Sequence, residues 1–337
     1  MNVLKKIQFE KLLAFGTLII LYVFFAFRGQ NFVSVPTALN ILASSYFVGF
    51  MAIGVTFVII TGGIDLSIGT VMMCSALVGG LLYREFAIPL WICLIIVVLF
   101  GTMFGLFNGL MVTKLGLPPF IATLGTMMVS AGLGSILTNS RAQTYPTILE
   151  ADAWFGRVFL RRDFFFIEDN FPIGAVWLLG FFIVAIIVLN KTKLGRYTFA
   201  IGSNEEAVRL SGIKTNNWKC MVYVISGFFA GVGGVFFAAA YTVITPGTGQ
   251  GFELQAIAAV VIGGTSLVGG VGSLTGTIIG VFIMSVLRIG LMSMGLPAPF
   301  QVFFTGLVVI GAVLLDMQRT KRSNQVKREK LVDKKTA

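Results

Sequence analysis

Long apolar runs separated by short polar interruptions make up most of this chain. The runs extend over 16 to 25 residues, and about 20 helical residues cross the hydrocarbon core of a bilayer. The third and eighth runs are short and interrupted by glycine, so either one could be a broken or re-entrant helix. The pattern predicts an all-α polytopic membrane protein with about ten spans, at residues 12–27, 39–60, 66–83, 88–112, 120–137, 173–189, 220–241, 253–268, 275–293 and 299–316.

The composition agrees with this class. Of the 337 residues, 56% are hydrophobic and 12% are charged, whereas soluble domains carry about 25% charged residues. The 40 glycines suit membrane helices, which approach closely through small residues. The chain has no histidine, which excludes imidazole catalysis and histidine-ligated metal, and we predict no catalytic residue and no metal site.

The net charge of +11 is concentrated in three segments beside apolar runs. Residues 1–11, 190–219 and 316–337 contribute +2, +4 and +5, which is typical of cytoplasmic segments rather than of a nucleic-acid surface. With ten crossings both termini lie inside. The predicted organisation is a basic N-terminus at 1–11, a membrane domain at 12–316 with an external loop at 138–172 and a cytoplasmic segment at 190–219, and a basic tail at 317–337.

A weak internal repeat is present. Residues 116–120 (GLPPF) open the fifth span and residues 295–300 (GLPAPF) open the tenth. An offset of five spans is odd, so a true repeat would be inverted in the membrane, as in many transporters. A second similarity, between residues 62–66 and 263–267, has an even offset, and we interpret it as chance glycine usage.

Asp65 is the one acidic residue within the first five spans. A charge near the hydrocarbon costs at least about 2.5–3.5 kcal/mol and usually faces a cavity or a partner. Asp65 and the nearby Ser67 could line a solute path or hold a coupling ion. The favoured alternative is that Asp65 caps the third span, where a carboxylate complements the helix dipole.

Three further polar residues are candidates for the translocation path. Asn108 lies in an apolar run, where a hydrogen bond between helices is the favoured interpretation. Glu253 and Gln255 open the eighth span, where the carboxylate could equally be a helix cap.

Residues 195–213 form a polar stretch with helical spacing between two apolar runs. Asn204 is suited to an N-cap, and Glu205 and Glu206 in the first turn suit the helix dipole. Arg209 lies four residues after Glu205, a spacing that allows an ion pair, and Gly212 can end the helix. A solvated connector is the alternative. The chain has no phosphate-binding Gly-x-x-x-x-Gly-Lys-Ser/Thr loop, so it is not expected to hydrolyse ATP by itself.

Five segments together resemble bacterial ABC-importer permeases of the ribose and simple-sugar branch. They occur in the family's order at 62–69 (GGIDLSIG), 119–127 (PFIATLGTM), 195–213, 253–267 (ELQAIAAVVIGGTSL) and 269–276 (GGVGSLTG), the last of which continues the one before it. The resemblance as a whole extends over about residues 39–316.

The resemblance implies a type II ABC-importer-like permease that imports a monosaccharide, dimerises with itself or with a similar permease, and binds no cofactor. It implies an extracytoplasmic sugar-binding protein and a separate ABC ATPase that uses ATP, often with two fused nucleotide-binding domains. In the family, the segment matching 196–213, here called the coupling segment, contacts that ATPase. The implied contact residues are Gly202, Asn204, Glu205, Glu206, Ala207, Arg209, Leu210 and Gly212.

Rival interpretations remain open. An ion-coupled carrier would use Asp65, a related ABC permease would carry amino acids or nucleosides, and a membrane scaffold would carry nothing. The external loop at 138–172, with Tyr145 and Trp154, could be a docking surface or a structural cap.

Overall fold

A computed structural model describes residues 3–147, 150, 152–160, 162–164, 167–297, 299–314 and 316–318. The predicted basic tail therefore lies almost wholly outside the described residues, as do the side chains of the N-terminal basic segment. The helices are α1 Val3–Arg28, α2 Val35–Ile60, α3 Ile68–Arg84, α4 Leu90–Thr113, α5 Pro119–Leu137, α6 Trp154–Phe159, α7 Gly174–Lys191, α8 Lys193–Leu210, α9 Thr215–Tyr241, α10 Phe252–Ile262, α11 Leu274–Ser293 and α12 Pro299–Gln318. The strands are β1 Gln143–Thr144, β2 Arg162–Phe164, β3 Ile167–Phe171 and β4 Val243–Ile244.

Each of the ten predicted spans corresponds to an apolar helix. In the described part of the chain, seven helices are long and apolar enough to cross a membrane: α2, α4, α5, α7, α9, α11 and α12. Three shorter apolar helices, Leu12–Arg28, α3 and α10, account for the other predicted spans. The protein is therefore a nearly all-α, multi-pass membrane protein. The strands form two short antiparallel pairs, β1 with β4 and β2 with β3.

The bundle has two ends, which we name after the helices that lie there. At the α8 end, α8 contacts the end of α2 and the turn after α10. At the α6 end, Arg84, the last residue of α3, forms an ion pair with Glu150, and β1 pairs with β4.

Helices α2 and α9 form the centre of the bundle. Residues 45–60 of α2 and 229–239 of α9 are all buried. Helix α9 also packs along α4, where glycines on both helices allow the two backbones to approach closely. A methyl group on Gly105 would lie 2.9 Å from the Cα atom of Gly227 and would overlap the carbonyl oxygen of Tyr223.

The eighth span is shorter than the sequence predicted. Helix α10 has 11 residues, about 16 Å at 1.5 Å per residue, which is half of the roughly 30 Å hydrocarbon core. The predicted end at residue 268 is wrong, because the chain turns at Gly263 and at Gly264, whose φ is +92°. Residues 245–251 precede α10 and run without regular structure from β4 into the bundle.

The third span is also broken, and its helix runs toward the opposite end of the bundle. Residues 61–67 are not helical, and α3 starts at Ile68 and continues to the α6 end. The first turn of α3 lies against the first turn of α10, since a methyl group on Gly69 would lie 2.5 Å from Glu253 Oε2 and 2.7 Å from the Gly249 carbonyl oxygen. Two helices therefore begin next to each other inside the bundle and run to opposite ends.

This arrangement agrees with the inverted repeat that the first sequence similarity predicts. The two broken spans are five spans apart and run in opposite directions. Helix α3 packs on α4 and α9, and α10 packs on the helices at the matching positions, α11 and α2. The second similarity has no such counterpart, because residues 62–66 precede α3 whereas residues 263–267 follow α10.

The glycine contact between α4 and α9 gives a stability prediction. We expect Gly105→Ala to lower the free energy of unfolding by about 1–3 kcal/mol, because the added methyl group overpacks a backbone contact. The matched control is Gly180→Ala on α7, where nothing lies within 4 Å. There, alanine should stabilise the helix by up to about 1 kcal/mol. Thermal unfolding in detergent measures the stability change of each variant. Equal changes in the two variants would contradict the close contact between α4 and α9.

Candidate translocation and coupling sites

Four polar side chains from three parts of the fold meet inside the bundle, and we call them the Asp65 cluster. Asp65 Oδ1 accepts hydrogen bonds from the Ser67 amide (3.0 Å) and hydroxyl (2.7 Å), and Oδ2 accepts from the Ser226 hydroxyl of α9 (2.8 Å). Asn108 Nδ2 of α4 donates to Ser67 Oγ (2.8 Å). These bonds connect the break before α3 to two neighbouring helices.

Asp65 is not the N-cap residue of the third span, so its favoured role is wrong in position, although its side chain accepts a bond from the amide of the N-cap residue. The N-cap position of α3 is Ser67, whose side chain makes no capping bond. Asp65 instead folds back on Ser67 and binds α9, and it is only 1% exposed. Asn108 of α4 does make a hydrogen bond to another part of the fold, but its partner Ser67 lies in the break before α3 rather than within a helix.

The cluster and its surroundings also contain polar atoms without a hydrogen-bond partner. Within the described residues, the buried Asn108 Oδ1 and the buried Tyr223 hydroxyl have no hydrogen-bond partner. Tyr223 lies on α9 one turn before Ser226 and faces Gly63. Buried polar atoms without a partner cost about 1–3 kcal/mol each, so this region suits water or a hydroxylated molecule better than an apolar one.

Glu253 lies in the first turn of α10 and is 5% exposed. Its Oε1 accepts a bond from the Gly251 amide (2.9 Å), whereas Oε2 has no partner in the described part of the chain. It is therefore both a local cap for its own helix and a neighbour of the start of α3. Gln255 is half-buried two residues later.

The coupling segment contains a short helix with defined ends. Asn204 is non-helical (φ −164°, ψ 94°), and its Oδ1 accepts a bond from the Ala207 amide at 3.0 Å. The predicted N-cap is confirmed. The helix ends at Leu210, and Gly212 has φ +80°, a backbone conformation that favours glycine.

The predicted ion pair between Glu205 and Arg209 is wrong. Arg209 binds Glu206 at 2.8 Å, three residues away, whereas Glu205 binds Lys219 of α9 at 3.0 Å. The two acidic residues therefore differ in role: Glu205 ties the helix to the bundle, and Glu206 stays on the outer surface with Arg209. Leu210 is 79% exposed, and Ala207 is exposed beside it.

Gly202 faces the bundle rather than solvent. A methyl group there would overlap the Ile60 carbonyl oxygen and would lie 2.5 Å from the Gly270 amide nitrogen. These two atoms are hydrogen-bonded to each other at 2.8 Å. We call this the Gly202 contact. It joins the coupling segment to the end of α2, where the break before α3 begins, and to the turn after α10.

The loop at 138–172, which the sequence predicts to be external, caps the α6 end of the bundle. Tyr145 is 1% exposed and donates a hydrogen bond to the Ala76 carbonyl of α3 at 2.6 Å. Tyr83 donates to Asp152 at 3.0 Å. The hydrogen bond from Arg84 holds the pKa of Glu150 below its ordinary value. Of the two interpretations left open, the structural cap accounts for Tyr145, while Trp154 remains 37% exposed.

Three important residues were not among the predicted site residues. Ser226 and Tyr223 lie in an apolar run and look like ordinary span residues. Asp316, near the end of α12, accepts bonds from the Leu267 amide (3.1 Å) and the Ser266 hydroxyl (3.3 Å) in the turn after α10. The sequence carries one signal for the role of Asp316, namely that an acidic residue stands at the end of an apolar run.

The comparisons with known proteins agree with this architecture. A family model described as "Branched-chain amino acid transport system / permease component" matches residues 37–313. The ribose import permease protein RbsC of Bacillus subtilis is 36% identical over 321 residues, 94% of this chain and 97% of the relative. The Escherichia coli K12 RbsC is 34% identical over 90% of this chain and 92% of its own length.

A relative with a different printed function also matches. The autoinducer 2 import system permease protein LsrC of Yersinia enterocolitica is 34% identical over 85% of this chain and 77% of its own length. No solved structure matches the chain. From the extent of the family match and of these relatives, the chain belongs to the permease-component family of the branched-chain amino acid transport system type.

Proposed function

We propose that this protein is the membrane subunit of an ATP-driven importer for a monosaccharide such as ribose or a related simple sugar. The ribose import permeases among its relatives cover nearly the whole chain. The partners proposed with it are an ABC ATPase, an extracytoplasmic sugar-binding protein and a second permease. The chain itself has no ATPase site, and ATP is used by the partner.

The observation that carries the coupling role is the two-sided construction of the coupling segment. Its outer side presents Leu210 and the Glu206–Arg209 pair to a partner. Its inner side is fixed by the Gly202 contact to the end of α2. A push on the outer side is therefore delivered to residues 61–67 and, through them, to the Asp65 cluster.

The membrane orientation follows from the same proposal. The ATPase is cytoplasmic, so the α8 end faces the cytoplasm and both termini lie there. The α6 end then faces outward, where the sugar-binding protein docks. The polar atoms of the Asp65 cluster and Glu253 are proposed to line or control the solute path, with hydroxyl groups of the sugar as suitable donors.

Two substitutions separate docking from transmission. Leu210→Glu removes an apolar anchor worth about 1.5–3 kcal/mol when buried, so we expect at least a tenfold loss of ATPase affinity. Gly202→Val leaves the outer side intact, so ATPase affinity should persist while sugar uptake per ATP hydrolysed falls severalfold. Co-purification affinity and proteoliposome uptake measure the two effects.

The control for the docking variant is Val268→Glu. Val268 is 66% exposed at the α8 end but lies outside the coupling segment. We expect the ATPase affinity of this variant to match the wild type. Unchanged affinity in Leu210→Glu, or unchanged coupling in Gly202→Val, would refute the corresponding half of the proposal.

A second candidate function is an ion-coupled carrier. It is favoured by one observation, that Asp65 is buried and is held by Ser67 and Ser226 with no cationic partner among the described residues. In proteoliposomes without the ATPase, we expect proton and sodium gradients to drive no sugar uptake. With the ATPase and ATP, Asp65→Asn should remain insensitive to both gradients. Gradient-driven uptake that Asp65→Asn abolishes would establish the carrier instead.

The substrate class is tested with the complete system. Reconstituted with the ATPase and binding protein encoded beside it, the permease should support ATP-dependent uptake of a radiolabelled pentose or hexose. Leucine and nucleosides are the comparison solutes, since the family model is described by amino acid transport. Uptake of leucine or a nucleoside without sugar uptake would move the protein to that branch of the family.

A further inference from the structure

A groove of about 490 Å³ lies between the start of α8 and the start of α9. Lys193 and Lys214 line it, together with the aromatic side chains of Tyr197 and Trp218 and the thioether of Met221. None of the described residues that line this groove is acidic. Its walls are therefore basic and aromatic at once.

The cations at this corner have no acidic partner among the described residues. In the part of the chain that the structure describes, Lys191, Lys193, Arg196 and Lys214 have no carboxylate within 4.0 Å. The two acidic residues of the coupling segment are already occupied, Glu205 by Lys219 and Glu206 by Arg209. Because both carboxylates of the coupling segment are paired with other residues, they do not compensate the positive charge of these four side chains.

A neighbouring groove of about 720 Å³ has a different charge distribution, which suits a different kind of occupant. It is lined by Glu205, Glu206 and Arg209 as well as by lysines. Charges of both signs suit a protein surface, whereas the first groove offers one sign only. The two grooves share residues 212–214 and 217 as their common wall.

The aromatic residues of the basic groove suit a position at the membrane surface. The Tyr197 and Trp218 rings lie 4.8 Å apart, and Met221 follows Trp218 on α9 and is 46% exposed. Tyr and Trp are favoured where the headgroups meet the acyl chains. The groove therefore runs from free ammonium groups to an apolar edge, which matches the headgroup and upper acyl chain of a phospholipid.

We propose that this groove binds an anionic phospholipid, with Lys193 and Lys214 holding the phosphate and Trp218 and Met221 contacting its acyl chains. Ammonium groups form charge-assisted hydrogen bonds with phosphate oxygens, and basic pockets beside membrane helices bind anionic headgroups. A choline headgroup would place a positive charge against the two lysines, so phosphatidylglycerol should be preferred over phosphatidylcholine. The assignment of the lipid to the inner leaflet depends on the proposed function, but the binding itself does not.

Trp218 provides the measurement. In a variant with Trp91→Phe, Trp154→Phe and Trp177→Phe, Trp218 is the single tryptophan. The permease alone, without ATPase, is reconstituted in phosphatidylcholine that contains a small fraction of lipid brominated near the headgroup end of the acyl chain. We expect brominated phosphatidylglycerol to quench Trp218 at a severalfold lower fraction than brominated phosphatidylcholine does. Equal quenching by the two lipids would overturn the proposal.

Charge variants test the assigned lysines. Each near-surface cation contributes about a fivefold preference for anionic lipid, so Lys193→Gln with Lys214→Gln should remove most of the selectivity. Lys114→Gln, in the mixed-charge groove, is the matched control and should keep it. If the double variant keeps its lipid selectivity but binds the ATPase more weakly, the groove is a protein-docking surface and the lipid assignment is wrong. The unquenched emission spectrum of Trp218 reports whether the fold is retained.

Discussion

A helix that begins inside the bundle of a membrane protein leaves its first N–H groups without helical partners, and α3 and α10 both begin in this way. Hydrocarbon offers no hydrogen bonds, so each break must be satisfied by the protein itself. The break before α3 is served by Asp65, which accepts from the Ser67 amide. The break before α10 is served by Glu253, which accepts from the Gly251 amide. Both carboxylates also lie near the positive ends of helix dipoles, which offsets part of the cost of burying them.

This constraint determines which parts of the bundle can respond to events outside it. Residues 61–67 begin where the Gly202 contact fixes the end of α2 at the α8 end. Residues 245–251 begin just after β4, which pairs with β1 at the α6 end. Each irregular segment is therefore anchored to a different end, and the two helices that they lead into meet at Gly69 and Glu253. Movement at either end reaches the same central point by a short path.

Sequence reasoning reached the fold more completely than the sites, for a physical reason. Span number depends on apolar length, which the sequence displays directly, and each of the ten predicted spans contains an apolar helix, seven of them long enough to cross a membrane. The end of α10 was missed because Leu267 and Val268 continue the apolar pattern beyond the turn at Gly263 and Gly264. Local capping at Asn204 and Gly212 was predictable because it depends on nearest neighbours. Ser226 with Asp65, Lys219 with Glu205, and the Gly202 contact were not, since each joins residues distant in sequence whose meeting only the packing defines.

The difference between local and long-range contacts also explains how the coupling segment can be exposed on one side and held in place on the other. The Glu206–Arg209 pair is largely solvated, and exposed pairs of this kind add little to stability, so they do not hold the helix. Its position is set by the burial of Val208 and Ile201, by the Lys219–Glu205 bond to α9, and by the backbone approach at Gly202. Because the last of these involves main-chain atoms, it has no flexible side chain to absorb a displacement. Charged side chains on the outer surface remain available to a partner, while the glycine on the inner surface makes the connection rigid.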